Sequence, residues 1–193
     1  MMQSRPTYHH GDLPATLVRA AIELLDTDGA EADVSLRAVA RKAGVSTGAP
    51  YRHFEDRNAL LSAVAAVGYR ELAALLQSAH PGPESVADLA DIAVAYVQFA
   101  ITRPGLFRVM FAGVCDTSNP ERVDAVEAID NYLRDIIKRG TATETPEVVA
   151  TGAWALVHGL AFLFLDGKLD ATDRDQVDSH VRAVVTATLG LSH

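Results

Sequence analysis

Between Ser35 and Phe54 the chain brings together side chains suited to a polyanion: Ser-Leu-Arg-Ala-Val-Ala-Arg-Lys-Ala-Gly-Val-Ser-Thr-Gly-Ala-Pro-Tyr-Arg-His-Phe. Arginine offers a planar fork that fits guanine O6 and N7, and alanine can touch a thymine methyl. Tyrosine and serine hydroxyls and basic groups near a helix start suit phosphate oxygens. The spacing predicts two short helices joined by a turn of about three residues containing Gly44, a helix-turn-helix arrangement. Val39, Ala40, Ala43 and Val45 supply its inner packing, and Phe54 holds the second helix down. The free face then carries Thr47, Ala49, Arg52 and His53, with Tyr51 nearby. Gly48 costs about 1 kcal/mol inside a helix, which makes sense where the backbone must approach another surface. The competing reading is a solvated helix face for Arg37 and Arg52, and a packing or capping role for His53.

Charge placement supports the same region. The chain carries a net charge of −8 over 193 residues, which taken alone argues against a nucleic-acid partner. The excess is uneven. Residues 1–70 hold 8 Lys/Arg and 8 Asp/Glu, whereas residues 71–193 hold 9 and 17. Within 37–57, Arg37, Arg41, Lys42, Arg52 and Arg57 face only Glu55 and Asp56. Such asymmetry directs attention to a phosphate-binding face near the N-terminus.

A second concentration of chemistry lies further on. Tyr96-Val97-Gln98-Phe99 and Phe107-Arg108-Val109-Met110-Phe111 gather aromatics, and Trp154, His158 and Phe162 recur every fourth residue along one helix face. Aromatic stripes are usually core. The sharper reading is an effector pocket, apolar walls with a few polar groups such as His158 and Tyr96. Its candidate residues are Tyr96, Phe99, Phe107, Met110, Phe111, Trp154, His158 and Phe162. No HExxH, GxGxxG or GxxxxGK string is present, and Gly44-Val45-Ser46-Thr47-Gly48, which has the GxSxG spacing, falls in the turn of the helix-turn-helix rather than between a strand and a helix, so an enzyme is not expected. The single cysteine, Cys115, excludes an internal disulfide and a thiolate zinc site. Asp116 beside it does not favour a reactive thiolate. The pair His9-His10 lacks a third ligand nearby and reads as a flexible arm. No metal or cofactor is expected, and without a charged-then-apolar leader the expected compartment is the cytoplasm.

The elements that must position these groups are helical almost throughout; few runs alternate with a period of two. A helix over Leu13–Leu25 has Asp12 as its cap and Gly29 as its stop. Ser35 caps a helix from Leu36 to about Ala43, and Ser46 or Thr47 caps a very short third helix ending near His53-Phe54. Asp56 caps a fourth, to about Ala79. His80-Pro81-Gly82-Pro83 is the strongest break in the chain. Helices follow over about 85–102, a short apolar turn over Leu106–Phe111, a loop over 113–120, and helices over about 121–139, 146–166 and 174–189. Val148 to Leu165 is apolar enough to approach a membrane span. It has acidic flanks and no basic anchor, so it reads as a core or subunit-interface helix.

Ala43-Gly44-Val45-Ser46, Gly48, Tyr51-Arg52-His53-Phe54 and Arg57 followed by Leu60-Leu61 together resemble the DNA-binding domain of the TetR/AcrR family of transcriptional regulators. The resemblance covers roughly residues 10–65, and Tyr8-His9-His10-Gly11-Asp12-Leu13 is similar to the opening of many members. Pro50 departs from it, standing where a bulky aliphatic residue is usual. The resemblance implies that Arg37, Thr47 and Ala49 contact base edges and that Ser35, Ser46, Tyr51, His53 and Arg57 contact phosphates. The Trp-x-x-x-His-Gly spacing at 154–159 resembles a C-terminal domain class named for Trp-His-Gly, over about 83–190.

The expectation is an all-α protein of about nine helices: a helix-turn-helix domain over 1–56, a connecting helix and linker over 57–82, and an effector-binding and dimerisation domain over 83–193. The resemblance implies a homodimer formed through the last two long helices, a four-helix interface. An apolar surplus in them agrees: Val149, Leu156, Leu160, Leu163, Val181, Val184, Val185 and Leu189. The expected function is a repressor on palindromic double-stranded DNA, released by a small apolar or amphipathic effector. The alternatives are a helical protein-interaction adaptor, or an activator or regulator without an effector.

Overall fold

The computed structural model describes residues 13–28, 34–112 and 118–190. Among them are eight α-helices and no strand. They are α1 (Leu13–Asp28), α2 (Leu36–Lys42), α3 (Arg57–Ala79), α4 (Val86–Thr102), α5 (Pro104–Phe111), α6 (Pro120–Gly140), α7 (Pro146–Leu165) and α8 (Arg174–Gly190). The expected cap Asp12, the stop Gly29, the pair His9-His10 and the loop around Cys115 lie outside the described residues.

Helix starts follow local chemistry. Ser35 Oγ accepts from the Ala38 amide at 3.1 Å, Asp56 Oδ1 from Ala59 at 2.8 Å, and Asn119 Oδ1 from Arg122 at 3.0 Å. Each satisfies one of the amides that a helix N-terminus leaves without a partner. Proline opens α5, α6 and α7, where its missing N–H costs nothing. Gly44 adopts φ +69° after α2, a left-handed conformation that a side chain resists.

The expected third helix is a 3-10 turn over Pro50–Arg52, and the cause is Pro50. An α-helix would have residue 50 donate to the Ser46 carbonyl, but proline has no N–H. The Ser46 carbonyl instead accepts from Ala49 at 2.9 Å, a three-residue step that tightens the backbone. The His53 and Phe54 amides then both donate to Pro50 O at 2.9 Å.

The 23-residue α3 leaves the helix-turn-helix unit and runs into the second half, packing on α1, α4, α5 and α6. In the second half α4 is central, with buried Leu89, Ile92, Val97 and Phe99, and α7 and α8 lie against it. Gln98 Nε2 donates to Asp178 Oδ1 at 2.7 Å and Arg182 pairs with Asp91, tying α8 to α4.

By length and composition both α3 and α7 could cross a membrane. Only Ala150, Val157, Leu160, Ala161 and Phe164 of α7 are buried, while Val148 is 70% and Leu163 43% exposed. The apolar surplus assigned to a subunit interface therefore needs correction. Leu160, Val181, Val185 and Leu189 are buried within the protomer, consumed by packing on α4 and within the α7–α8 pair. The outward stripe of α7 is instead Val148, Gly152, Ala155, Gly159 and Leu163.

Candidate nucleic-acid interface and effector pocket

The segment from Ser46 to His53 is pinned by its inward residues. Pro50 and Phe54 are buried, together with Val39 and Ala40 of α2. Two inward anchors four residues apart leave the intervening side chains no route to the core. Ser46, Thr47, Gly48, Tyr51, Arg52 and His53 are all exposed, and Ala49 is half-buried. Tyr51, at 53% exposure, is a large ring with no packing reason to stand in water. Arg37 projects from α2 on the exposed side. Arg37, Arg41 and Arg52 have no ion-pair partner among the described residues, whereas Lys42 pairs with Glu23 at 3.3 Å.

Two expected contact residues also work inside the protein. Ser35 spends its hydroxyl on the α2 cap. Arg57 donates from Nε to the Val34 carbonyl at 2.8 Å, fixing the entry of α2 to the start of α3. Gly48 has an ordinary φ, and a Cβ built on it would meet nothing within 4 Å. Neither backbone conformation nor protomer packing calls for glycine there.

The aromatic stripe of α7 meets α4 and α5 around His158. Its Nδ1 lies 2.9 Å from the Tyr96 hydroxyl. Its ring centroid is 4.5 Å from that of Phe111, 4.9 Å from Phe162, 5.7 Å from Phe107 and 5.8 Å from Trp154. Burial holds the His158 pKa below its usual value and pushes that of Tyr96 up, so the pair is neutral near pH 7.

Open space lies one layer away from this hub. A cavity of about 140 Å³ is bounded by Tyr69 and Leu72 of α3, Tyr96 of α4, Phe111 of α5, Val126, Ile129, Asp130 and Leu133 of α6, and Trp154 of α7. A second, narrower apolar void of about 40 Å³ shares the walls Tyr96, Leu133 and Trp154 with it and is lined further by Leu76, Ile92 and Val157. Of the expected effector residues, Tyr96, Phe111 and Trp154 line this space, and His158 reaches it through the Tyr96 hydroxyl. Phe99, Phe107, Met110 and Phe162 line neither void. Phe99, Phe107 and Met110 are buried in packed core, and Phe162 meets His158 edge to face, with the Arg108 guanidinium over its ring. The wall from α3 and α6 escaped the sequence reading because its residues are ordinary apolar repeats of amphipathic helices.

Between pocket and interface stands α5. Arg103, at its start, donates from Nε and Nη2 to the Asp26 carboxylate of α1 at 3.2 and 2.8 Å, and from Nη1 to Glu71 of α3. A Cβ on Gly105 would lie 2.6 Å from the Leu25 carbonyl oxygen, so α5 rests directly on the backbone of α1. At its other end the Met110 carbonyl accepts from the Tyr69 hydroxyl at 2.8 Å and from Arg122 Nη2 at 3.3 Å. Pocket-lining Phe111 and the contact with α1 thus share one two-turn helix.

Comparison with known proteins assigns both halves. Residues 17–64 match the family described as bacterial regulatory proteins, tetR family, and residues 89–188, just over half the chain, match the tetracyclin repressor-like C-terminal domain. The chain belongs to the TetR family. It is a DNA-binding transcriptional regulator and not an enzyme. A structure from Rhodococcus sp. RHA1, described as a protein with unknown function, is 32% identical over 96% of this chain and 99% of its own, with a TM-score of 0.78. A bacterial regulatory protein in the tetR family from Rhodococcus RHA1 has the same fold (TM-score 0.69) at 20% identity, covering 91% of this chain and 96% of its own. The HTH-type transcriptional regulator YobS of Bacillus subtilis, described as uncharacterized, is 28% identical over 148 residues, 76% of each chain.

Proposed function

We propose that this TetR-family regulator is a homodimeric repressor, acting in the cytoplasm on a palindromic operator and released from it by a small molecule bound among α3 to α7. The observation that carries the DNA half is the Ser46–His53 segment, held by buried Pro50 and Phe54 with every polar side chain turned outward. Arg37, Thr47 and Ala49 read base edges. Tyr51, His53, Ser46 and Arg52 engage the phosphate backbone, Gly48 lets the main chain come close, and Ser35 and Arg57 set the pose of α2 while lying at its edge.

Two copies join through the outward stripes of α7 and α8. Gly152 and Gly159 have open space where a Cβ would stand, and α8 exposes the small side chains of Ala183 and Ala187, so four helices can pack closely. The dimer then presents two recognition segments to successive major grooves, roughly 34–36 Å apart. Residues 1–56 form the DNA-binding domain, 57–82 the connector, and 83–193 the effector and dimerisation domain, of the Trp-His-Gly class. An effector changes DNA affinity only by its different affinity for the two separations of the recognition segments. The α5 strut, gripping α1 through Arg103 and Gly105, supports coupling of that kind.

The test is an anisotropy titration of the full chain against a selected palindrome and a random duplex at two salt concentrations, with sedimentation to give the stoichiometry. The expected result is two chains per palindrome, a preference for it, and affinity that falls steeply with salt. Equal binding to every duplex removes the operator reading. Salt-insensitive behaviour returns the chain to a protein-interaction role.

A further inference from the structure

We infer that the cavity between α3 and α7 is a cage for a small organic cation, a quaternary or tertiary ammonium group. The inference rests on the reading of this space as the effector pocket and names the chemical class it accepts. Four aromatic side chains, Tyr69, Tyr96, Phe111 and Trp154, line one cavity of about 140 Å³. Their planes are mutually inclined. Tyr69 and Phe111 stand at 81° with centroids 5.4 Å apart, and Phe111 and Trp154 at 44° with centroids 6.4 Å apart. Four inclined rings therefore bound one small void, and a cation that meets the face of any of them is attracted through the ring quadrupole.

The polar tips of the cage are committed elsewhere. The Tyr69 hydroxyl donates to the Met110 carbonyl, and the Tyr96 hydroxyl is bonded to His158. A ligand therefore meets ring surface rather than hydroxyl groups.

Charge agrees with this assignment. Among the described residues, the one charged side chain in the lining is Asp130, an exposed carboxylate at the rim, and no Lys, Arg or His lines the cavity. Arg134 pairs with Asp130 at 2.7 Å from the next turn of α6 and is absent from the lining. Arg122, one turn before Val126, has its guanidinium directed at Ser62 and the Met110 carbonyl. His158 behind Tyr96 is kept neutral by burial.

The probes are choline and 3,3-dimethylbutan-1-ol, which share a shape and differ in the positive charge, with hexanoate as the anionic control. Trp154 is the single tryptophan of the chain and lines the cage, so its fluorescence reports occupancy directly. Choline is expected to bind about tenfold more tightly than the neutral isostere, the scale of a desolvated cation–π contact, and hexanoate more weakly than either. Calorimetry of Trp154→Leu, a half-exposed position that folding tolerates, is expected to abolish the preference while dimethylbutanol still binds. Asp130→Asn lowers choline affinity by a few-fold only. If dimethylbutanol or hexanoate equals choline in the unmodified protein, the cage is overturned and the apolar effector pocket stands. If none of the three binds, the cage and the pocket fall together.

Discussion

The two ends of this molecule use similar residue types in opposite ways. At the DNA end, Tyr51, Arg52 and His53 stand in water because Pro50 and Phe54 turn the other way. In the second half, Tyr96, Phe107 and His158 are drawn together, and the candidate cavity is the gap between them and α6. A binding face that projects is defined by its own side chains. A binding cavity is defined by where packing stops, which is a property of five helices at once. The strut α5 belongs to both regions, since Arg103 and Gly105 face α1 while Phe111 faces the cavity.

The severest test of that link is Gly105→Val. With a Cβ already 2.6 Å from the Leu25 carbonyl oxygen, the added methyls force α5 off α1, at a cost of about 3 kcal/mol by the scale of overpacked sites. Chemical denaturation measures it, and loss of effector response at temperatures where the variant stays folded shows that the contact carries the coupling. A stability change near zero would mean that the two halves are not in rigid contact at this point.

At the projecting end the comparison is sharpened by a pair of variants. Arg37→Ala is expected to relax preference at one base position, costing about 1–3 kcal/mol there, whereas Tyr51→Phe weakens all duplexes alike. Uniform weakening by both would erase the distinction between reader and anchor. Gly48→Ala is subtler. The Cβ meets nothing in the protomer, so stability should change by less than about 0.5 kcal/mol. DNA affinity should nevertheless fall about tenfold if the backbone there approaches the duplex, and unchanged affinity would show that it does not.

The smallest effect belongs to the buried hub. Burial lowers the His158 pKa below the 6.5 of the unfolded chain, so between those values the unfolded state binds more protons. The stability from neutral His158 is present above about pH 6.5 and is lost as pH falls through the folded value. His158→Phe should flatten the acid side of a stability–pH profile, read by urea denaturation between pH 5 and 7.5. An unchanged slope would place the titration elsewhere.

Much of the projecting face was legible in the linear chain because its determinants are local. Ser35 caps, Gly44 turns, and Val39, Ala40 and Phe54 mark the inside, so the outside follows by elimination. The conformation of the recognition segment followed less readily. Pro50 removes one amide from the ladder, and the result is a 3-10 turn rather than a short α-helix. The stripe Trp154-His158-Phe162 announced an aromatic cluster without saying which members bound the void and which filled the core.

What the amino-acid order determined by itself is the all-helical class, the helix-turn-helix register and the side of it left exposed. These depend on periodicity, caps and turns acting over a few residues. The tertiary structure alone decided that Leu160, Val181, Val185 and Leu189 are consumed inside the protomer. It also decided that Tyr69 and α6 complete the pocket wall and that Arg103 joins α1 to α3. Those facts depend on which helices touch, and contacts between residues 77 positions apart, such as Arg103 with Asp26, leave no periodic trace in the chain.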